Sequence, residues 1–150
     1  MLAAETYAEV TALHAHPSQV RLVSEWLRRC CSEADVPADQ NDRLELCLNE
    51  VIANVIAHGG EAARACAMEL RLEVTQLDAV GEATLVVADS GIEFNPFAGE
   101  IKVGATSLAE VEPGGLGLLM LQRFSDARSY RRLNGRNVIA LTVTWPPRRR

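Results

Sequence analysis

The chain has 150 residues, 48% of them hydrophobic and 23% charged, with a formal net charge of −5. That length buries one sizeable core, so one domain over residues 1–150 is expected, and the composition is that of an ordinary globular protein rather than a disordered one. The acidic balance excludes general nucleic-acid binding, which takes its affinity from Lys and Arg clustered on phosphates.

Residues 6–13 alternate weakly and predict a strand, which His16 and Pro17 break. Ser18 is placed to cap a helix whose apolar positions Val20, Val23, Leu27, Cys30 and Ala34 recur at helical spacing, with a stop near Asp35. A second helix starts at Pro37 and Asp39 and is expected to end at Gly59 and Gly60, where a left-handed C-cap forms easily. From Cys66 to Thr75 the period drops to two: Met68, Leu70, Leu72 and Val74 face one way, Glu69, Arg71 and Glu73 the other. This predicts a half-buried strand.

After a turn at 78–81, the run ATLVVAD reads as an interior strand ending in the carboxylate of Asp89. Residues 90–113 contain Gly91, Pro96, Gly99, Gly104 and Pro113 and keep neither period; a loop of this length inside a compact domain is more often a lid or binding loop than a passive linker. Gly114, Gly115 and Gly117 open an apolar helix, LGLLMLQRF. Asn134-Gly135 signals a two-residue hairpin between strands at 128–133 and 136–145. The order of elements predicts an α+β fold, a mixed, mostly antiparallel sheet with helices packed on one face.

Four cysteines, Cys30, Cys31, Cys47 and Cys66, form no CxxC pair, and three of them fall at apolar positions of predicted elements. They read as reduced core thiols, which points to the cytoplasm. The start, MLAAETYAEV, lacks the basic flank and apolar run of a signal peptide, and no uncharged stretch approaches the roughly 18 residues of a membrane span.

Three constellations carry candidate chemistry. In LNEVIANVIAH, residues Glu50, Asn54 and His58 stand at i, i+4 and i+8, so they stack along one edge of the second helix beside its apolar face. An acid and an amide bordering a core incur a desolvation cost. Singly, they read as a surface Glu, a tolerated Asn and a His favoured at a helix C-terminus. Together, the Asn54 carbonyl is a hard ligand suited to Mg²⁺, and Glu50 is placed one turn away to accept a proton. The second constellation is Asp89-Ser-Gly-Ile-Glu-Phe-Asn-Pro at a strand exit. It reads either as a turn or as an acceptor for an exocyclic amine such as that of adenine, with Gly91 allowing close approach of the base. The third, Gly114-Gly-Leu-Gly-Leu, exposes free N–H groups at a helix start that can cradle an anion. It matches neither the P-loop nor the dinucleotide fingerprint, and flexible glycines at a helix start explain it equally well.

Taken in chain order, NExxxN, DxGxxFxP and GGxGLxxL resemble the nucleotide-binding fold shared by histidine kinases, gyrase and Hsp90, and within it most resemble the anti-sigma factor serine kinases of the RsbW type. The resemblance runs over nearly the whole chain and implies a Bergerat-type, histidine kinase-like ATPase fold that uses ATP and Mg²⁺. By it, Glu50 corresponds to the catalytic base, Asn54 to the magnesium ligand, and Asp89 to the reader of adenine, with Gly91 making room. His58 and Phe94 fall among the nucleotide-binding residues, and Gly114, Gly115, Leu116 and Gly117 close on the phosphates.

The implied substrate is a serine on a small anti-anti-sigma partner of the STAS type, which competes with a sigma factor for the kinase. A homodimer is a further assembly the resemblance allows, while direct contact with nucleic acid or membrane is not implied. One departure is the stretch Leu108-Ala-Glu-Val-Glu-Pro, acidic where many active members carry a basic residue; Lys102 is the only cation between Asp89 and Gly114. Two acids beside a triphosphate repel it unless turned outward. The alternative is therefore a catalytically weak or inactive, nucleotide-controlled module that sequesters a regulatory partner. A histidine kinase core fits less well, because His14 and His16 lie between a strand and a helix cap rather than on a helical hairpin.

Overall fold

A computed structural model describes residues 5–77, 80–98 and 115–146. In chain order these form β1 (Glu5–Leu13), a 3₁₀ turn (Pro17–Gln19), α1 (Val20–Glu33), α2 (Ala38–His58), α3 (Gly60–Ala65), β2 (Met68–Leu77), β3 (Val80–Asp89), α4 (Gly115–Phe124), β4 (Ala127–Leu133) and β5 (Arg136–Trp145). The strands make one sheet in the order β1-β2-β3-β5-β4. All four pairings are antiparallel, so the expected α+β class holds and the mixed character anticipated for the sheet is absent among the described strands.

The sheet has one buried face because its strands β2, β3 and β5 keep a period of two. On β2, Met68, Leu70, Leu72 and Val74 are buried, and Glu69, Arg71 and Glu73 are exposed. The same phase runs across the register, where Leu72 pairs with Leu85 and Leu85 with Leu141, all fully buried. Against this face α1 contributes Leu27 and Cys30, and α2 contributes Leu44, Leu48 and Ile52, each at zero exposure. Burying one such leucine or isoleucine is worth about 2 kcal/mol. The two helices are also joined across their outer groove, where Arg28 donates to both carboxylate oxygens of Glu45 at 3.0 and 2.9 Å.

Two local features differ from the sequence expectation, the cap at Ser18 and the short helix α3, while a left-handed glycine does follow α2 as expected. Ser18 does not cap α1; instead the His16 Nδ1 accepts the Ser18 N–H at 3.1 Å, at the head of the 3₁₀ turn. Gly59 stays right-handed (φ −73°) and donates its N–H to the Val55 carbonyl at 2.8 Å. The left-handed residue is Gly60 (φ 68°), which starts α3, a helix too short for a hydrophobic period to reveal. The hairpin is as expected, with Asn134 (φ 51°) and Gly135 (φ 76°) both left-handed between β4 and β5. Cys30, Cys31 and Cys47 are buried free thiols and Cys66 is exposed. No helix among the described residues is long and apolar enough to cross a membrane.

Candidate functional site

α2 carries its polar stripe on the border of the buried face. Cys47, Val51 and Val55 are buried, while Glu50 and Asn54 are half-buried beside them. α4 packs along this flank. Its Gly117 lies directly on the Glu50 carboxylate, so closely that a Cβ on Gly117 would overlap Oε1. One turn further along α2, Asn54 lines a narrow cleft with Gly59, Asp89, Ile92, Phe94 and Asn137. The sheet supplies Asp89 at the C-terminal end of β3, the central strand, and Asn137 opposite it on β5.

Asp89 and Asn137 are each 3% exposed and form the polar floor of this cleft. Asp89 Oδ1 accepts the Gly91 N–H at 2.9 Å and an Asn137 Nδ2 hydrogen at 3.1 Å. Among the described residues no group donates to Asp89 Oδ2, which leaves that oxygen able to accept from an amine. The Asn137 amide uses its full capacity. Its Nδ2 also donates to the Ile92 carbonyl at 2.8 Å, and its Oδ1 accepts the Phe94 N–H at 3.2 Å and the Tyr130 hydroxyl at 2.7 Å. Burial, reinforced by the Glu93 carboxylate, pushes the Tyr130 phenol above its ordinary pKa, so it remains a donor at neutral pH.

Besides Asn137, two further groups pin the loop after β3. Arg132 donates to the Gly91 carbonyl at 2.7 Å, and Ile92 donates its N–H to the Gly59 carbonyl at 3.1 Å. Gly91 is required here by space rather than by a turn: a Cβ would stand 2.8 Å from Gly59 Cα and 2.9 Å from Asp89 Oδ1.

The structure thus gathers Asn54, Asp89 and Phe94 at one cleft, with Gly91 packed beside it against Gly59 and Asp89, and with Glu50 and Gly117 one helical turn away. Gly115 and Leu116 lie in the first turn of α4, whereas Gly114 and the acidic stretch before it lie outside the described residues. His58 stands apart from the expected chemistry of the stripe. It is exposed and stacks on Phe94, with ring centroids 4.5 Å apart and planes 17° from parallel. Asn137, Tyr130 and Arg132 were not anticipated from the sequence. A signal for Asn137 exists: Asn137, Ile139, Leu141, Val143 and Trp145 share the buried phase of β5, so a polar residue there requires a partner.

Chemically, the cleft offers a floor acceptor for an amine, an amide oxygen for a hard cation and a carboxylate for a proton. Among the described residues no three His, Cys, Asp or Glu side chains gather into a metal cluster. A cation at Asn54 would therefore draw its other ligands from phosphates and water, which is the usual habit of Mg²⁺.

The model of the histidine kinase-like ATPase domain family matches residues 13–143. The serine/threonine-protein kinase BtrW of Bordetella bronchiseptica is 33% identical over 104 residues, 69% of this chain and 70% of that protein. Among solved structures, that of the RsbU and RsbW domains of Rv1364c from Mycobacterium tuberculosis superposes with a TM-score of 0.59 at 16% identity. That match takes in 95% of this chain and 34% of the other, so this chain spans about a third of that protein's length.

Proposed function

This chain belongs to the histidine kinase-like ATPase domain family, and from that premise we propose that it is an ATP- and Mg²⁺-dependent protein serine kinase. Its substrate is a serine on an anti-anti-sigma partner of the STAS type, and it sequesters a sigma factor in the cytoplasm when that partner is phosphorylated. The observation that supports the reading most is one juxtaposition: Asn54 and Asp89 line a single cleft, and Glu50, one turn from Asn54, meets the first turn of α4 at Gly117.

In this reading Asp89 Oδ2 accepts a hydrogen from the exocyclic amine of adenine. Guanine presents a carbonyl there, so two acceptors would face each other and guanine is rejected. Gly91 lets the base approach the backbone, and Phe94, backed by His58, forms a wall. The cleft encloses about 10 Å³, room for roughly one water, so the base enters by displacing Ile92, which is 62% exposed. The free N–H groups that open α4 face the phosphates, as helix N-termini do for anions. Asn54 would hold the magnesium ion, which would supply charge neutralisation for the transferring phosphoryl group. Glu50 accepts the proton of the serine hydroxyl as that oxygen bonds to the γ-phosphorus and the bond from that phosphorus to the β–γ bridging oxygen breaks, releasing ADP.

Incubating the protein with MgATP and its STAS partner is expected to yield phosphoserine on the partner. Glu50→Gln is expected to lower the rate about 100-fold, the lower end of what a general base contributes. Absence of phosphoserine, or transfer by Glu50→Gln at the parent rate, overturns the kinase assignment. The second reading, a sequestering module controlled by nucleotide, is favoured by Glu110 and Glu112 in the stretch before Gly114. It predicts a stoichiometric partner complex that depends on nucleotide and is indifferent to Glu50→Gln.

A further inference from the structure

We propose that the α2 face running from Glu50 back through Leu46 to Arg43 is where the serine-bearing protein docks, through an apolar contact on Leu46 and an acidic group on Arg43. The inference rests on the kinase reading and deepens it. At about 100° per residue, Arg43, Glu50 and Asn54 lie within about 40° of one another around α2, and Leu46 lies just to the solvent side of them. A hydroxyl must come within hydrogen-bond reach of Glu50 to lose its proton there. Approach from one side of Glu50 is taken by Gly117 and from the next turn by Asn54 and the cleft. Among the described residues, the way left open on α2 is toward its N-terminal half.

The size of a protein interface makes contact with that half unavoidable. A specific interface covers on the order of 800 Å² per partner, a disc reaching about 16 Å from its centre. Leu46 is about 6 Å and Arg43 about 10 Å from Glu50 along the helix axis. Both have the character of docking residues.

Leu46 is 39% exposed and is the one large hydrophobic side chain of α2 that is so. Arg43 is exposed and makes no hydrogen bond or ion pair among the described residues, whereas Arg28 is tied to Glu45 and Arg29 to Glu33. An uncommitted guanidinium beside an exposed leucine complements an acidic and apolar surface.

The test is steady-state phosphoserine formation at increasing concentrations of the STAS partner, with nucleotide-dependent melting measured alongside. Leu46→Asp is expected to raise the partner KM about ten-fold, as loss of a central interface contact does, with kcat within about two-fold and the MgATP melting shift retained. Arg43→Glu, an exposed charge reversal that tests the same face should Leu46→Asp fold poorly, is expected to do likewise. Leu77→Asp, at a more exposed leucine at the far end of β2, is expected to leave KM unchanged. Unchanged KM in both α2 variants, with active wild-type protein, overturns the docking face and leaves the kinase intact. No transfer by the wild type removes the kinase reading and the docking face with it.

Discussion

Gly117 is the residue at which a single added methyl group tests the site most cleanly. Its missing side chain is the space that the Glu50 carboxylate occupies. In Gly117→Ala the obstructing group is the far end of a flexible side chain, so Glu50 swings aside while the backbone stays. Alanine also favours a helix over glycine by about 1 kcal/mol, which offsets the crowding. Melting of the variant is therefore expected to stay close to the parent while phosphoserine formation falls about 100-fold. Parent-level transfer would show that Glu50 need not stand where the structure puts it. The same pair illustrates what is legible residue by residue. Glu50 and Asn54 stood out because an acid and an amide interrupt an apolar helix, and Asp89 because a carboxylate ends an interior strand. Asn137 satisfies as many groups as any of them, yet its role needs the register that sets it opposite Asp89, and one strand does not announce its neighbour.

At the scale of elements, the β4–β5 hairpin matters more to the site than its distance in sequence implies. It carries Tyr130 and Arg132 on one strand and Asn137 on the other, and these hold Asp89, Gly91, Ile92 and Phe94 in place. Its register is fixed by Asn134 and Gly135, both left-handed. Gly135→Val places a β-branched residue at φ 76°, at a cost of about 2 kcal/mol. That corresponds to a melting point lower by roughly 6 °C in a chain of this size. Calorimetry checks this, and the same variant is expected to bind adenine nucleotide more weakly, because a slip of one residue turns Asn137 to the opposite face. Unaltered nucleotide affinity would separate the hairpin from the site. The hairpin and the alternating strands were readable because a two-residue turn and a period of two leave unmistakable marks. α3 and the His16 turn were not, since each spans fewer than two periods of its own pattern.

At the scale of the molecule, the helix layer and sheet enclose a core that includes three free thiols. Burial pushes Cys47 up to about 11 and Cys31 up to about 12, against about 8.5 in an unfolded chain. A raised acid pKa means that the folded state holds its proton while the unfolded state has lost it. The contribution to stability is thus complete below about pH 8.5 and is lost as pH rises through the folded values. Denaturant titrations between neutral pH and pH 11 are expected to show stability falling with pH, and Cys47→Ala is expected to flatten part of that slope. An identical slope in the variant would contradict the burial of Cys47. Composition and periodicity made the class of fold legible, whereas strand order was not, because it depends on which buried faces meet rather than on any one of them.

The account depends most on one cleft holding an adenine nucleotide between Asp89 and Asn54, and thermal melting with ATP, ADP and GTP, each with and without Mg²⁺, tests this directly. A ligand at a hundred times its Kd adds about 2.7 kcal/mol to the folded state. ATP and ADP are predicted to raise the melting point only with Mg²⁺, GTP to leave it unchanged, and Asn54→Ala to abolish the magnesium-dependent rise. No shift with any nucleotide, or a shift with GTP equal to that with ATP, would contradict it.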